Sequence, residues 1–426
     1  MSRGGGACGP VVISGLGCVS PLGLNTRDML AACMAGRTAI RPIEKIDGLS
    51  GMPLFAAAVP AFDVEEYLRF PRNAKFMKRP VECAIAAAYQ AIRNSGLEWN
   101  GIDPERVSLF TACGQTNVEY HTFFPALEVA WEECREDNYK EDNYKYVGRR
   151  EARILDRYFS LSTLANGGLA FLSLELGARG SASNHAQGDA AFATALRSAT
   201  FDLLDRRCDI ALAGAYDSLL TASNVLAYSE AGLLSSGSYR PFDRDRGGIV
   251  LGEGAAFFVL ERLEDARRRG AAELSSIAGI GSIHDCSRSV GIGWQTDDMA
   301  AVLDAAEVSG DQCDYAIANG FGTPEADRSE SEAWNYAGAN DLPLTALKGL
   351  TGYLGAATPA VELAIALTCS RAGFVPPVTG CELPDPEFRL NLIRSTPCRL
   401  RLHGAAGLFI SRSVTGQISA LSVRNL

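Results

Sequence analysis

No two of the 12 cysteines stand in a Cys-X-X-Cys pair. They are scattered singly, from Cys8 and Cys18 to Cys381 and Cys398. That spacing excludes a disulfide framework and a zinc site, and reads as small buried thiols in a reduced, cytoplasmic protein, so no metal is expected. Long apolar runs are missing too. Gly, Ser or charge breaks every apolar stretch within about 18 residues, so neither a transmembrane helix nor a membrane partner is expected. The opening MSRGGGACGP lacks the apolar core of a signal peptide. Positive charge is in deficit, with 40 Lys and Arg against 50 Asp and Glu, a net charge of −10. This balance argues against a nucleic-acid partner, while leaving room for a local basic patch. Histidine is scarce, at four residues: His121, His185, His284 and His403.

What is present is a chain of 426 residues, 47% apolar and 21% charged. At roughly 150 residues per domain, that length suggests two or three domains or one large duplicated unit, with a core that needs no staples. Val11–Ile13 opens a buried strand that runs into a glycine turn, Gly15-Leu-Gly17. The turn resembles the start of a dinucleotide fingerprint, but Pro21 blocks the helix that should follow. Phe76–Ser95 reads as a helix stopped by Gly96, and Val107–Ala112 as a buried strand. A charged stretch near residues 128–157 contains the direct repeat EDNYK-EDNYK at 136–145. It reads as a surface insertion, either a solvated segment or a lid for a partner. Further strands are expected at Asp209–Ala213, Ala255–Glu261, Ser275–Gly281 and Tyr315–Ala318. A helix is expected from Thr358 to Ala372, and a closing strand pair at Cys398–Leu402 and Leu408–Ser411. The pattern divides into α/β halves over 1–265 and 266–426, which fits a layered α/β fold with buried sheets.

Five segments, in order, carry a resemblance. They are Val11–Gly23 (VVISGLGCVSPLG), Arg240–Gly254 (RPFDRDRGGIVLGEG), Ala318–Asp327 (ANGFGTPEAD), Lys348–Gly355 (KGLTGYLG) and Gly404–Gly407 (GAAG). With them the chain resembles the β-ketoacyl synthases of the thiolase-like superfamily, from about Val11 to Ser413. The resemblance implies a thiolase fold of two duplicated α/β halves in five αβαβα layers, and a two-fold dimer. It implies no cofactor. It also implies a cysteine nucleophile at a helix N-terminus and two histidines, which need a thiolate of lowered pKa and two imidazoles beside the thioester.

The sequence departs from that pattern where the chemistry lies. Aligned by the resemblance, the nucleophile position holds Asp189, nine residues after Gly180. The two histidine positions hold Asn319 and Tyr353, and the gate position holds Ala405. Lys348, Asp327 and Glu330 remain, and are expected to form buried structural ion pairs as scaffold. A carboxylate at 189 is a poor nucleophile toward a thioester, and a helix N-terminus favours it electrostatically, so helix stabilisation is one reading of it. Relocated imidazoles, His185 or His403, are another way the site could work.

This pattern resembles the degenerate subunit of type II polyketide systems, the chain-length-factor or ketosynthase-β type. The resemblance implies an active ketosynthase as heterodimer partner and an acyl carrier protein reached through it. It also places Tyr120, Phe123 and Phe124 at the dimer interface and tunnel end, either shaping the tunnel or packing the interface. Two other readings stay open. One is an enzyme of altered acyl-transfer or hydrolytic chemistry using Asp189 and Tyr353. The other is a stand-alone acyl-binding homodimer.

Overall fold

The structure is a computed structural model. It describes residues 10–44, 46, 49, 54–114, 120–136, 159, 163–272, 275–285 and 292–426, with the side chains of 120–122 and 133–136 excepted. The EDNYK repeat falls almost wholly outside the described residues.

Ten strands form one mixed sheet. In chain order they are β1 Val11–Val19, β2 Val107–Cys113, β3 Ala182–His185, β4 Ile210–Ser218, β5 Glu253–Arg262, β6 Ser275–His284, β7 Tyr315–Ile317, β8 Leu344–Thr345, β9 Ala406–Arg412 and β10 Gln417–Asn425. Their spatial order is β8-β7-β9-β10-β6-β1-β5-β4-β2-β3. From β1 outward the first half runs 1-5-4-2-3, and from β6 outward the second runs 6-10-9-7-8. Adding five to every strand number converts one half into the other. Orientations repeat as well: the two inner pairings of each half are antiparallel and the two outer ones parallel. The halves meet at β1 and β6 through two residue pairs, Val12 with Ser276 and Ile13 with Ser275.

Strands such as β1, β4 and β5 are buried along their whole length, because helices cover both faces. Helices α1 Arg79–Ser95 and α2 Gly167–Leu176 cover the outer face of the first half. Helices α3 Ala191–Leu204 and α4 Thr358–Arg371 lie between the halves. Helices α5 Asp298–Ala305 and α6 Pro324–Tyr336 cover the outside of the second half. This gives the α/β thiolase architecture in five layers. α4 carries residues that are mostly fully buried, among them Val361, Leu363, Ile365 and Leu367. Burial of each such side chain contributes about 1.5–3 kcal/mol.

Two expectations change. Gly15-Leu-Gly17 is no turn but the middle of β1. A Cβ at Gly15 would lie 2.3 Å from the Ala91 carbonyl oxygen, and one at Gly17 2.0 Å from that of Ala87. The glycines are there so that the alanine face of α1 can bed directly on the strand. The closing strand pair is also displaced. Cys398–Arg399 joins Phe374–Val375 in a separate small sheet, and β9 closes with β10 instead. The turn between them, Ser413–Gly416, uses Gly416 at φ 87°. α1 itself starts with Pro80 in its first turn and ends on Gly96 at φ 68°, close to the expected span.

Candidate active-site remnant

Because the halves repeat, the first turns of α3 and α4 converge. A short turn, Gly188–Ala190, feeds α3, and another, Gly355–Ala357, feeds α4. The ends of β2 and β4, the β9–β10 turn and a helix over Ala222–Glu230 complete the surround. The result is a cavity of about 460 Å³ whose wall includes Asp189, Asp217, Tyr228, Tyr353 and Ser413.

Asp189 is 1% exposed. The Tyr353 hydroxyl donates to its Oδ1 at 2.9 Å. Its Oδ2 is buried and has no hydrogen-bond partner among the described residues. Burial pushes this carboxyl up to about 7, against the opposing pull of Lys348 and the Tyr353 hydrogen bond. The carboxylate does not cap α3: no side-chain cap bond forms at that terminus. Any helix stabilisation by Asp189 thus comes through its charge near the α3 N-terminus, not through a capping bond. The Tyr353 ring packs edge-on against Phe321 at 5.3 Å and Tyr228 at 6.0 Å. The turn before Asp189 needs a left-handed residue, and Gly188 supplies it at φ 62°. Asp217 accepts from the Ser218 and Ala356 amides at 2.9 Å each, which fastens the end of β4 to the turn before α4. Burial raises it to about 6.

Behind this wall lies a second group. Lys348 Nζ donates to the Asn319 carbonyl and to Glu362 Oε1, the latter at 3.1 Å. The Asn319 and Gly320 amides donate to the two oxygens of Glu330, both at 2.8 Å. Asp327 accepts from Gly322 at 2.8 Å and from Phe242 at 2.7 Å. That second bond holds Phe242 at φ 61°, a conformation that costs a residue with a Cβ about 1–2 kcal/mol. The expected ion pairing is thus revised. Lys348 pairs with Glu362 on α4, which the motifs did not point to. Asp327 and Glu330 mainly clamp backbone amides of the Asn319–Gly322 loop, with Arg246 3.9 Å from Asp327. Burial pushes Glu330 up to about 7 and Asp327 to about 6.

The structure brings Asp189 and Tyr353 together. Asn319 lies behind the cavity and accepts at Oδ1 from the Arg412 amide at 3.3 Å. Ala405 is misplaced as a gate. It sits at the start of β9, whereas the cavity is lined from the other end of that strand by Ser413, Val414 and Thr415. Gly404–Gly407 lies one strand length before the segment that reaches the cavity. Of the interface residues, Phe123 stacks on Phe159 at 6.3 Å and meets Phe124 edge-on at 5.9 Å. Phe124 is 55% exposed, and the Tyr120 side chain lies outside the described residues. No cysteine and no imidazole is among the described residues lining the cavity. His185 pairs with Ser183 at 3.0 Å and the exposed His403 contacts the Leu426 carbonyl at 3.1 Å. Glu362 and Asp217 share a readable signal that spacing motifs miss: a single carboxylate in an otherwise apolar, buried element.

Comparison with known proteins agrees with this architecture. Residues 9–266 match the model of the β-ketoacyl synthase N-terminal domain, and residues 274–382 that of its C-terminal domain. The chain is 31% identical over 426 residues to the tetracenomycin polyketide synthase ketoacyl synthase beta subunit of Streptomyces glaucescens, covering 97% of this chain and 98% of that one. It is 30% identical over 398 residues to the alpha subunit of the same synthase, covering 90% of each. The solved ishigamide ketosynthase/chain length factor superposes with a TM-score of 0.84 at 25% identity, covering 99% of this chain and all of that one.

Proposed function

The chain belongs to the β-ketoacyl synthase family, and from that premise we propose that it is a non-catalytic subunit of the chain-length-factor type. It pairs with an active ketosynthase, shapes the acyl tunnel of that partner in type II polyketide or fatty-acid-like synthesis, and meets acyl carrier protein only through it. One observation carries this reading. At the turn where α3 begins, the cavity holds a carboxyl bonded to a tyrosine, with no thiol or imidazole among the described lining residues. A buried carboxyl is a weak nucleophile toward thioesters, and the Tyr353 hydroxyl, raised far above its ordinary range by burial and by Asp189, is no base. The same turn follows β3, one of the two edge strands of the sheet among the described residues, whose own residues are half-buried or exposed. An unpaired edge of this kind favours pairing with another chain. The likeness to both subunits of one synthase supports a two-subunit assembly.

The test is co-expression with a ketosynthase that retains its cysteine and two histidines. A soluble 1:1 complex is expected, with no condensation or decarboxylation by this chain alone. Phe123→Ala or Phe124→Ala is expected to lengthen the product of the complex, and an unchanged product distribution in both would sink the tunnel role. A second reading rests on Asp189 being raised to about 7, a value suited to general acid–base work. Thioester hydrolysis by the isolated chain, lost in Asp189→Ala, would establish it in place of the first.

A further inference from the structure

β2 runs between two cavities. Gly114, just past its last residue, lines the Asp189 cavity. Val107, its first residue, lines a second cavity of about 650 Å³. Seven residues of extended strand set the two roughly 20 Å apart. The volume of the second lies in the range of small-molecule sites.

This second cavity is walled by the C-terminal ends of α1 and α2, by the connection from α1 to β2, and by Arg69. Most of its polar atoms are already taken. The Trp99 indole N–H donates to the Leu176 carbonyl at 3.0 Å, and the Tyr89 hydroxyl to the Glu175 carbonyl at 3.5 Å. Both carbonyls belong to the last turn of α2, where no helical amide reaches them. The two rings are thereby pinned, and what they offer the cavity is apolar ring surface. Ile92, Ile102 and Leu176 add aliphatic wall. The Glu175 carboxylate is buried and accepts from the Arg69 and Phe70 amides at 2.7 and 3.1 Å and from the Asn73 side chain at 3.0 Å.

The guanidinium of Arg69 is not committed in this way. Its Nη1 lies 4.0 Å from where a Cβ on Gly177 would stand, and Gly177 is itself part of the wall. Its charge also reaches Tyr89, whose hydroxyl burial raises above its ordinary range and Arg69 pulls back. Arg93 lines the cavity from α1. Both arginines are exposed, and neither side chain forms a hydrogen bond or ion pair with a described residue. Arg69 Cζ stands 5.2 Å from the Phe70 ring, which leaves its fork of donors unused.

We propose that this cavity binds a planar aromatic carboxylate, its rings against Tyr89 and Trp99 and its carboxylate on the Arg69 guanidinium. A guanidinium fork matches the two oxygens of a carboxylate. A neutral ligand leaves both cations unanswered, and an ammonium meets like charge. A phosphate monoester brings up to about two negative charges beside the buried Glu175, so the singly charged carboxylate is favoured over it. The site is separate from the Asp189 cavity, and the inference does not rest on the subunit reading.

The probe is 2-naphthoate, titrated by calorimetry into the purified protein, alone or in its complex. The comparison ligands are 2-naphthylmethanol, 2-naphthylmethylamine, 2-naphthyl phosphate and octanoate. The four tryptophans of this chain are replaced by 5-fluorotryptophan, and Trp99→Phe identifies the Trp99 resonance. Naphthoate is expected to bind more tightly than each comparison ligand and to move that resonance. Arg69→Gln is expected to weaken it about tenfold or more, the scale of a hydrogen bond to a charged group. Arg93→Gln should weaken it about two- to fivefold, as an exposed second charge does. The proposal is overturned if the Trp99 resonance stays put at saturating naphthoate, if any comparison ligand binds as tightly, or if folded Arg69→Gln binds as the parent does. The resonance shift is read with both arginines in place, so a variant that fails to fold does not block the decision. Failure to form a heterodimer would count against the subunit reading and leave this result untouched.

Discussion

Helices α3 and α4 hold equivalent places in two halves of identical strand order, yet their polar groups are treated differently. The buried carboxylate of α4, Glu362, has its cation at 3.1 Å. The carboxyl at the entry to α3, Asp189, has one oxygen bonded to Tyr353 and the other bonded to nothing described. The duplication extends to topology and stops short of the side chains. In the second half polar groups are used to hold loops in place. In the first half one oxygen is buried without a described partner.

The sharpest way to break this contrast is at Lys348. Lys348→Met leaves Glu362 buried without a cation and should cost about 3–5 kcal/mol in chemical denaturation. The double variant Lys348→Met/Glu362→Leu should recover most of that. A loss under about 1 kcal/mol in the single variant would show that the pair does not hold the loop.

Asp189 gives a smaller effect with a definite sign. Its folded value, about 7, lies above the ordinary carboxyl value of 3.8. The folded state therefore binds the proton more tightly than the unfolded state, so stability from this group is lost as pH rises from about 4 to 7, then levels off. Asp189→Asn does not titrate. Its melting temperature relative to the parent should climb across that window and stay flat above about pH 8. Asp217, Asp327 and Glu330 are raised as well, so the parent's own curve falls for several reasons, and only the difference isolates Asp189. A flat difference would mean the carboxyl is solvated in solution.

The smallest effects come from the two entry glycines. Gly188 has φ 62° and Gly355 φ 56°, so an alanine at either should cost about 1–2 kcal/mol. Gly355→Ala should cost more. Its Cβ would lie 2.3 Å from Oδ2 of Asp217, a carboxylate whose two oxygens are each held by an amide, whereas that of Gly188 would lie 2.5 Å from a Ser413 hydroxyl on a rotatable side chain. Equal melting temperatures would remove this distinction between the two turns.

Much of this was legible in the residues themselves. Apolar runs gave β1, β2, β4 and β5, because strands covered on both faces cannot alternate. The order of five segments gave the fold and placed Tyr353, and the spacing of nine residues after Gly180 placed Asp189. What was not legible follows from one cause: partners far apart in sequence are invisible to spacing. Ser413–Thr415 reach the cavity only because β9 carries the chain across the sheet, so a motif match at Gly404–Gly407 put the gate at the wrong end. Gly15 and Gly17 looked like a turn because the helix they accommodate begins more than sixty residues later.

The seam between the halves has a consequence for how the molecule is joined. Within each half, strands pair along ladders of up to nine positions, while β1 and β6 pair at two. The connection from Arg262 to Ser275 runs through a short helix, Leu263–Arg268, and its described residues supply no strand to either ladder. Each half keeps its own set of five strands on its own side of that connection. Cutting the chain there would sever no ladder, and the two pieces would still share α3 and α4 as a common buried layer. In covalent terms the protein is one polypeptide; in its architecture it is already a dimer, tied by a single thread.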